Sequence, residues 1–311
     1  MRTWLVGAGP MGISYHRVLK VIGEPVKVIG RGMESASKFE SETGQPVNLE
    51  GLDIILENED PPEQAILAVS INNLFTVASS LIRSGTKRLL LEKPGALNLV
   101  DLTNLSKLAV DSGSIAFIGY NRRFYAATLA AEAMIEGDGG AISCRFEFTE
   151  WSNTIAPLEI DPGIKQNWVY SNSSHVTDLA FYLCGLPIEM TTYHGGRLDW
   201  HSSAARFVGA GITENGVFFS YHADWEAPGR WGVEIMTRKR RYIFSPLETL
   251  RITETGLTEQ TVAVDYSLDQ TYKPGLFLQT KAFLDGDDRR FCGLVQQEKN
   301  FAVYAKMAGY S

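Results

Sequence analysis

The feature that most constrains the fold is a short apolar run that leads into a glycine-rich turn at the start of the chain. Residues 4–6 are apolar, Gly7, Gly9 and Gly12 follow them, and residues 11–22 are compatible with a helix. In a strand, turn and helix of this kind, the first glycine permits the tight turn and the second lets backbone N–H groups approach a pyrophosphate. The third lets the helix pack closely on the strand, and the helix N-terminus favours phosphate. The pattern predicts a dinucleotide-binding turn made of Gly7, Gly9, Pro10, Met11 and Gly12.

Apolar runs and helix-compatible segments alternate from this turn to about residue 122. Strands are predicted at residues 25–29, 52–56, 64–70, 88–91 and 114–119, and helices at residues 34–42, 74–83 and 100–111. Right-handed crossovers between such units give a parallel sheet with helices on both faces, and ligands bind beyond the carboxyl ends of its strands. We therefore predict an α/β fold in which residues 1–122 form a Rossmann domain.

The tip of the second strand predicts which dinucleotide binds. An acidic side chain at this tip accepts hydrogen bonds from the ribose 2′-hydroxyl, whereas an arginine accommodates a 2′-phosphate. Here the tip reads Gly30-Arg31, without a carboxylate. Arg31 therefore predicts NADP as the preferred cofactor, with NAD as the alternative. The competing interpretation is that Arg31 is a solvated turn residue.

The pattern changes from about residue 123. A helix predicted at residues 126–135 precedes strand-like segments at residues 141–149, 189–194, 204–209, 216–223, 232–237 and 241–244, and two helices at residues 275–284 and 292–308 close the chain. Turn residues such as Pro228-Gly229 separate several of the strands. We therefore assign residues 123–311 to an α+β domain with a large, mostly antiparallel open sheet, and expect the last helix to pack back on the first domain.

Composition excludes several classes of partner. The net charge is −7, which argues against a broad phosphate-binding surface and hence against nucleic acid. No run of residues is long and apolar enough to predict a membrane span. Cys144, Cys184 and Cys292 are widely spaced and show neither a disulfide framework nor a metal-ligand pattern. We therefore expect no metal site and a reducing, cytoplasmic location.

Five motifs together resemble one enzyme family. They are the N-terminal glycine turn, Asn72 after the fourth strand, Leu91-Glu92-Lys93-Pro94, Gly119-Tyr120-Asn121-Arg122-Arg123-Phe124, and Ser174-His175-Val176-Thr177-Asp178. The chain thereby resembles the glucose–fructose oxidoreductase, inositol dehydrogenase and rhizopine-catabolism family of NAD(P)-dependent sugar dehydrogenases. The resemblance implies a Rossmann domain that carries the cofactor. It also implies a second domain whose open sheet covers the active site and often makes the dimer interface.

The resemblance also implies the reacting residues. Hydride transfer between nicotinamide and a sugar carbon needs a group that exchanges a proton with the sugar oxygen. Lys93 would have this role at the end of the fifth strand, with His175 as a second proton-transfer residue. Asp178 lies three residues after His175, so on a helix the two would share a face and the carboxylate would orient the imidazole. We predict all three as catalytic residues.

The binding residues are predicted in the same way. Beside Arg31 and the glycine turn, the cofactor residues are Ser70, Asn72, Glu92 and Lys93. The substrate residues are Lys93, Tyr120, Arg122, Lys165, Trp168, Tyr170, Asn172 and His175. The aromatic and polar side chains before His175 suit stacking on a pyranose and hydrogen bonding to it. The alternative interpretation is that they line a seam between domains.

Three positions depart from the family pattern. Ile71 replaces a proline before Asn72, Phe75 replaces a histidine, and Ser171 replaces the aspartate four residues before His175. Without that aspartate a second interpretation stays open, a cofactor-binding sensor or regulator that turns nothing over. A third is a biliverdin-reductase-like enzyme, which should lack the histidine and aspartate pairing of the second domain.

The sequence as a whole predicts an NAD(P)-dependent sugar dehydrogenase or ketoreductase. Its substrate would be a sugar or a nucleotide sugar, and Lys93 and His175 would assist proton transfer. A sheet covered by helices on one face leaves apolar side chains for a further partner. We therefore expect a homodimer or homotetramer formed through the C-terminal sheet.

Overall fold

The computed structural model describes residues 2–310, whose contacts divide the chain into two compact units. The first unit comprises the residues up to Asn121 together with Leu268–Glu298. The second comprises Arg122–Ser267 together with the residues from Lys299 onward. Within residues 2–310, no helix combines the length and the apolar character that crossing a membrane requires.

Strands and helices alternate in the first part of the chain, as the sequence predicts. In chain order they are β1 (Thr3–Val6), α1 (Pro10–Ile22), β2 (Val26–Ile29), α2 (Met33–Thr43), β3 (Val47–Asn48), α3 (Leu52–Asn58), β4 (Gln64–Leu67), α4 (Ile71–Arg83), β5 (Arg88–Leu91), α5 (Leu99–Ser112) and β6 (Ile115–Ile118). All residues of β1 and β4 are buried.

Longer strands dominate the rest of the chain. After a 3-10 helix (Asn121–Phe124), the elements are α6 (Ala126–Gly137), β7 (Ser143–Phe148), α7 (Ser152–Ile155), α8 (Pro162–Gln166), a π-helix (Val169–Ser173), α9 (Ser174–Cys184), β8 (Pro187–Gly195), β9 (Arg206–Thr213), β10 (Phe218–Asp224), β11 (Trp231–Met236), β12 (Arg240–Phe244), β13 (Arg251–Glu254), β14 (Gln260–Thr261), α10 (Ser267–Thr271), α11 (Leu276–Asp285), β15 (Cys292–Gly293) and α12 (Leu294–Ala308).

The first sheet has the strand order β15-β6-β5-β4-β1-β2-β3. Strands β1 to β6 are parallel, and β15 is antiparallel to β6. The central strands are apolar and buried, which suits a parallel sheet covered on both faces. The order of β1 to β6 is that of dinucleotide-binding Rossmann domains, and the carboxyl ends of these strands share one edge. The predicted parallel sheet is therefore confirmed.

The strand predicted at residues 52–56 is wrong. These residues lie in helix α3, which begins after Gly51, and the third strand is the shorter Val47–Asn48. Within α3 only Ile55 is buried, and Ile54 is 52% exposed. A short apolar run does not distinguish a strand from a helix by periodicity.

The first unit also includes a late segment of the chain, Leu268–Glu298. In it, β15 pairs with β6, α11 packs against α1, and Arg88 forms an ion pair with Asp288 (Nη2 to Oδ1, 2.6 Å). This differs from the continuous domain 123–311 expected from the sequence, because a two-residue strand has no detectable period. The last helix, α12, begins in the first unit and ends in the second.

The second sheet has the strand order β14-β13-β12-β11-β7-β10-β9-β8. Its pairs are antiparallel except for the parallel pair of β7 and β10, which confirms the predicted, mostly antiparallel sheet. Buried and exposed residues alternate along β7, β9 and β10. The buried face carries an aromatic cluster that includes Phe146, Phe148, Phe207 and Tyr221. Helix α9 packs against β7 and β11.

Large apolar side chains lie exposed on β8 to β10. Tyr193 is 69% exposed, Phe218 67% and Val208 46%. Tyr193 and Val208 line a concavity of about 840 Å³ whose other walls include β7 and β11. The second sheet thus has exposed apolar side chains, as the sequence analysis expected. The oligomer contact itself stays a prediction.

Candidate functional site

The glycine turn after β1 is shaped by two very close backbone approaches. Gly7 has a φ of +117°, and a Cβ atom there would lie 2.3 Å from the Ala68 carbonyl oxygen. A Cβ on Gly12 would lie 2.0 Å from the carbonyl oxygen of Gly7. Gly9 is different, since a Cβ there would meet no atom within 4 Å. The turn therefore leaves open space in front of Gly9.

The N-terminus of α1 faces the same turn. The helix has no side-chain cap at Gly9 and no acidic residue in its first turn, which comprises Pro10, Met11 and Gly12. Proline suits the first helical position because its missing N–H would have had no partner within the helix. The remaining N–H groups and the helix dipole favour an anion. With the open space at Gly9, this end of α1 fits the pyrophosphate of a dinucleotide.

A cleft of about 390 Å³ opens beside the turn, where β1, β2 and β4 end. It brings together four of the predicted cofactor residues, Gly7, Gly9, Arg31 and Ser70, and adds Ser35 and Asn73. Arg31 Nη1 lies 3.5 Å from Asn73 Oδ1, and Asn73 Nδ2 donates to Ser70 Oγ at 2.6 Å. Among the described residues that line the cleft, none is acidic. The sequence analysis did not single out Asn73, and the cofactor contact that it assigns to the neighbouring Asn72 stays a prediction.

Lys93 lies in a turn that directly follows β5. The Lys93–Pro94 peptide is cis, which the sequence left open, and Gly95 N–H donates to the Glu92 carbonyl at 3.1 Å. Gln297 Nε2 donates to the Pro94 carbonyl oxygen at 2.9 Å. These hydrogen bonds hold the turn at the carboxyl edge of the first sheet. Lys93 itself is half-buried.

Glu92 is held by α1. The Tyr15 hydroxyl donates to Glu92 Oε1 at 2.9 Å and lies 3.2 Å from Gln279 Oε1. Burial and the neighbouring Glu92 carboxylate raise the pKa of Tyr15 well above its usual value. Tyr15 is therefore a neutral donor that fixes Glu92 next to Lys93.

Of the two predicted substrate residues near the junction, Tyr120 is buried and Arg122 is half-buried. Tyr120 is 1% exposed, and its hydroxyl accepts a hydrogen bond from Gln297 Nε2 at 2.8 Å. In the second unit, the Arg122 guanidinium lies 5.0 Å from the Trp231 ring and 5.8 Å from the Tyr125 ring, and burial lowers its pKa. Their roles in binding substrate stay predictions.

His175 and Asp178 lie on α9, as expected, but they are not paired in the predicted way. The Arg123 guanidinium donates to both Asp178 oxygens, from Nε at 2.8 Å and from Nη2 at 2.6 Å. Both side chains of this ion pair are almost fully buried. A charge-assisted, two-bond contact of this kind is stronger than an imidazole contact. Asp178 is therefore committed to Arg123, whereas His175 lies 6.2 Å from the Trp231 ring centre.

Of the other predicted substrate residues, Trp168 and Tyr170 are buried in the second unit, whereas Lys165 and Asn172 are half-buried. Lys165 Nζ donates to the Ala156 carbonyl at 2.7 Å, and the Trp168 ring meets Trp200 edge-on at 5.9 Å. Tyr170 stacks on Phe301 with ring centres 4.2 Å apart, and burial raises its pKa to about 12. Stacking of Tyr170 on a sugar therefore stays a prediction.

Ser171 has a structural role in the π-helix that precedes α9. Its hydroxyl lies 3.0 Å from the Ile164 carbonyl oxygen and 3.2 Å from that of Asn167, and donates toward them. A π-helix leaves carbonyl groups displaced from regular helical bonding, and such segments often occur at functional sites. An ionised aspartate has no proton to donate to these carbonyls.

We expect Ser171→Asp to destabilise the protein rather than improve it. The carboxylate would be buried among carbonyl oxygens, at a cost of about 2 kcal/mol or more in the free energy of unfolding. Ser171→Ala is the matched control, with an expected loss of about 0.5–1.5 kcal/mol. Thermal melting followed by circular dichroism measures both. An aspartate variant as stable as the unmodified protein would contradict this role for Ser171.

Glu150 is the residue that sequence reasoning missed. It follows β7, is 2% exposed, and its Oε1 accepts hydrogen bonds from Ser173 Oγ at 2.7 Å and Asn172 Nδ2 at 3.0 Å. Burial raises the pKa of Glu150 to about 7, although these hydrogen bonds and the charge of Arg230 lower it. A Glu-Trp pair at the end of an alternating strand was the only available signal.

The raised pKa predicts a pH-dependent stability. Below about pH 4.5 the carboxyl is protonated in both states, and burial costs little. Between about pH 4.5 and pH 7 the folded state keeps a proton on Glu150 that the unfolded state has lost, so the free energy of unfolding falls as the pH rises. Above about pH 7 the carboxyl is ionised in both states, and the free energy of unfolding no longer changes through Glu150.

Glu150→Gln should therefore be more stable than the unmodified protein at about pH 8, by roughly 1–3 kcal/mol, and nearly equal to it at about pH 4. Glutamine keeps an oxygen that accepts both hydrogen bonds. Melting temperatures at the two pH values measure the difference. The expectation fails if the variant is equally or less stable at the higher pH.

Comparison with known proteins supports the fold. No protein-family model matches the chain, and no curated protein matches it by sequence. Among solved structures, UDP-N-acetylglucosamine 3-dehydrogenase GnnA from Acidithiobacillus ferrooxidans is 18% identical with a TM-score of 0.77, and the match covers 99% of this chain and 96% of that chain. Levoglucosan dehydrogenase in complex with NADH is 15% identical with a TM-score of 0.79, and the match covers 99% of this chain and 96% of that chain.

A third similar structure is an oxidoreductase from Agrobacterium radiobacter in complex with NAD+, L-tartaric acid and magnesium. It is 13% identical with a TM-score of 0.77, and the match covers 100% of this chain and 96% of that chain. Matches of this extent confirm the predicted fold, a Rossmann domain followed by an α+β domain.

Proposed function

We propose that the protein is an NADP(H)-dependent oxidoreductase that transfers a hydride between nicotinamide and a carbon of a sugar or nucleotide sugar. The observation that carries the proposal lies in the first unit. The glycine turn, open at Gly9, and the fastened turn of Lys93 follow strands of one parallel sheet and lie at its carboxyl edge. This is the edge at which such sheets bind their ligands.

The similar structures support a saccharide as substrate. One is named for UDP-N-acetylglucosamine and another for levoglucosan. The thiols of Cys144 and Cys184, which are buried and form no disulfide, fit a cytoplasmic location. The direct test is a screen of NADPH oxidation and NADP reduction over sugars and nucleotide sugars. Turnover of none of them in either direction would count against the proposal.

In the proposed mechanism Lys93 exchanges the proton. Bound nicotinamide supplies or accepts the hydride. The Lys93 ammonium stabilises negative charge on the reacting oxygen and moves a proton to or from it. His175 is the second proton-transfer candidate. Because Asp178 is paired with Arg123, it does not share in orienting His175, and Lys93 carries the larger part of the proton transfer.

Replacing Lys93 should therefore cost more than replacing His175. Lys93→Met should lower turnover by about 10²–10⁴-fold, the usual range for a positioned acid or base, and His175→Asn should lower it less. Steady-state kinetics with an identified substrate measures both, with cofactor affinity as the control that should change little. Near-normal turnover of Lys93→Met would exclude Lys93 as the proton donor.

Arg31 should set the cofactor preference. A guanidinium contact to the 2′-phosphate contributes on the order of 1.5–3 kcal/mol, so NADPH should bind roughly 10–100-fold more tightly than NADH. Arg31→Ala should remove most of this difference without weakening NADH binding. Titration calorimetry with both cofactors measures it. Equal dissociation constants in the unmodified protein would refute the preference.

A second candidate function is a cofactor-binding sugar sensor without turnover. The observation that favours it is that Ser171 and Asp178 are both engaged in the internal structure of the second unit. Under this alternative a sugar would tighten NADPH binding but no hydride would be transferred.

The exposed side chains of β8 to β10 lead us to propose a homodimer or homotetramer formed through this sheet. Exposed apolar area of this kind marks a contact with another chain. Tyr193→Glu together with Phe218→Glu should shift the protein toward the 34.4 kDa monomer in light scattering. A monomer at micromolar concentration before any substitution would contradict the proposal.

A further inference from the structure

Another cavity lies entirely within the second unit, apart from the concavity lined by Tyr193 and Val208. It has no role in the proposed hydride transfer. It measures about 590 Å³ and is lined by the segment that follows β7 and by the loop that follows β10. Its lining residues are Glu150, Trp151, Ser152, Asn153, Thr154, Leu198, Trp225, Glu226, Ala227 and Pro228.

The aromatic wall of this cavity is held in place. Trp225 is buried, stacks on Trp200 with ring centres 5.5 Å apart, and donates from Nε1 to the Phe148 carbonyl at 3.1 Å. Trp200 Nε1 donates in turn to Ser152 Oγ at 2.9 Å. The wall is therefore formed before any ligand binds, which lowers the entropic cost of binding.

Trp151 is half-exposed and yet fixed. It is 49% exposed, its Nε1 donates to the Gly229 carbonyl at 2.8 Å, and the Arg230 guanidinium lies 4.6 Å from its ring centre. A large indole held open to solvent in one orientation provides a ready apolar surface for a ligand, at little cost in side-chain entropy.

The polar groups of the cavity define the ligand. Glu150 and Glu226 supply carboxylates, Ser152 and Thr154 supply hydroxyls, and Asn153 supplies an amide. Among its described lining residues none is basic. Glu226 is compensated by Arg206, whose Nε lies 3.8 Å from its Oε2, so the buried Glu150 carboxylate is the group that disfavours a phosphate or another anion. An apolar ring beside acceptors suits a ligand that has one apolar face and several hydroxyl donors.

We propose that this cavity binds a neutral saccharide ring, with Trp151 packed on the ring and the Glu150 carboxylate accepting from its hydroxyls. This rests on the proposed function only in that the natural ligand is a sugar. Glu150 is well suited to the role because Ser173 and Asn172 fix the position of its carboxyl group. A charge-assisted hydrogen bond from such a fixed group is stronger than a neutral one.

The test is binding to the full chain without any nucleotide, measured by ligand-observed NMR. The probes are glucose and N-acetylglucosamine, with glucuronate as the anionic comparison. At about pH 8 the neutral sugars should bind more tightly than glucuronate. Glu150→Gln and Trp151→Ala should each weaken the binding of the neutral sugars about tenfold or more. Glu159→Gln, an exposed carboxylate on the same loop, is the matched control and should leave binding unchanged.

Binding should also depend on pH through Glu150. Affinity for glucose should fall between about pH 8 and pH 6, because Glu150 takes up a proton in this range. Arg230 and Arg122 interact electrostatically with Glu150, and Glu226 lines the same cavity. His175, two residues after Ser173, is a second titratable group on the segment that contacts Glu150. The Glu150→Gln variant separates the two, since its remaining pH dependence belongs to other groups.

The outcomes separate this inference from the proposed function. If glucose and N-acetylglucosamine bind Glu150→Gln and Trp151→Ala as tightly as they bind the unmodified protein, the cavity is not their binding site, although the enzyme proposal stands. If glucose binding is lost in both variants but no hydride is transferred to any sugar, the cavity assignment stands and the enzyme proposal fails. The unmodified protein binding neither neutral probe would overturn the inference.

Discussion

The first unit depends on the contact between the glycine turn and β4. The backbone at Gly7 comes so close to the Ala68 carbonyl that a single added carbon would lie 2.3 Å from it, and Gly12 comes equally close to Gly7. These approaches place α1 directly over the ends of β1 and β4. The helix N-terminus and the open space at Gly9 then lie where the sheet ends. A methyl group at Gly7 or Gly12 would separate these elements, whereas one at Gly9 would fill only the proposed phosphate space.

The second unit has a corresponding constraint in its buried ion pair. Arg123 and Asp178 tie the segment before α6 to α9, and both charges lie almost out of contact with water. Leaving either charge without the other would cost about 3–5 kcal/mol, so the pair strongly favours one arrangement of α9. The same pairing occupies both oxygens of Asp178, and the catalytic role that the sequence suggested for it stays a prediction.

The sequence predicts best where one signal dominates. The three leucines of β5 and the glycine turn each have one physically reasonable interpretation, and the first sheet follows from such segments. The sequence predicts secondary structure and unit boundaries poorly where tertiary contacts determine them. The apolar residues 52–56 form a mostly exposed helix, and Leu268–Glu298 belongs to the first unit through a two-residue strand and side-chain contacts. Neither has a periodic pattern that sequence alone would reveal.

The candidate site shows the same division. The cofactor half was largely predictable, because backbone geometry near a phosphate requires glycine at fixed positions. Asn73, which the sequence analysis did not single out, also lines the cleft, and the cofactor contact predicted for Asn72 stays a prediction. Glu150, the buried carboxyl beside the second-unit cavity, was not predictable. Spacing on a helix suggested that Asp178 contacts His175. Arg123, from a segment 55 residues earlier in the chain, binds Asp178 instead, and spacing along one helix does not reveal such a partner.

Burial raises the pKa of both Glu150 and Asp178, but the two carboxyl groups have different partners. Asp178 has a buried cation as partner, whereas Glu150 is buried with only hydroxyl and amide donors on Oε1 and with Arg230 farther away. Neutral donors offset less of the desolvation cost than a paired guanidinium does, so the proton stays on Glu150 up to about pH 7. A group that costs stability in its charged form is retained most readily where a ligand uses it. Its position beside the Trp151 cavity is consistent with that use.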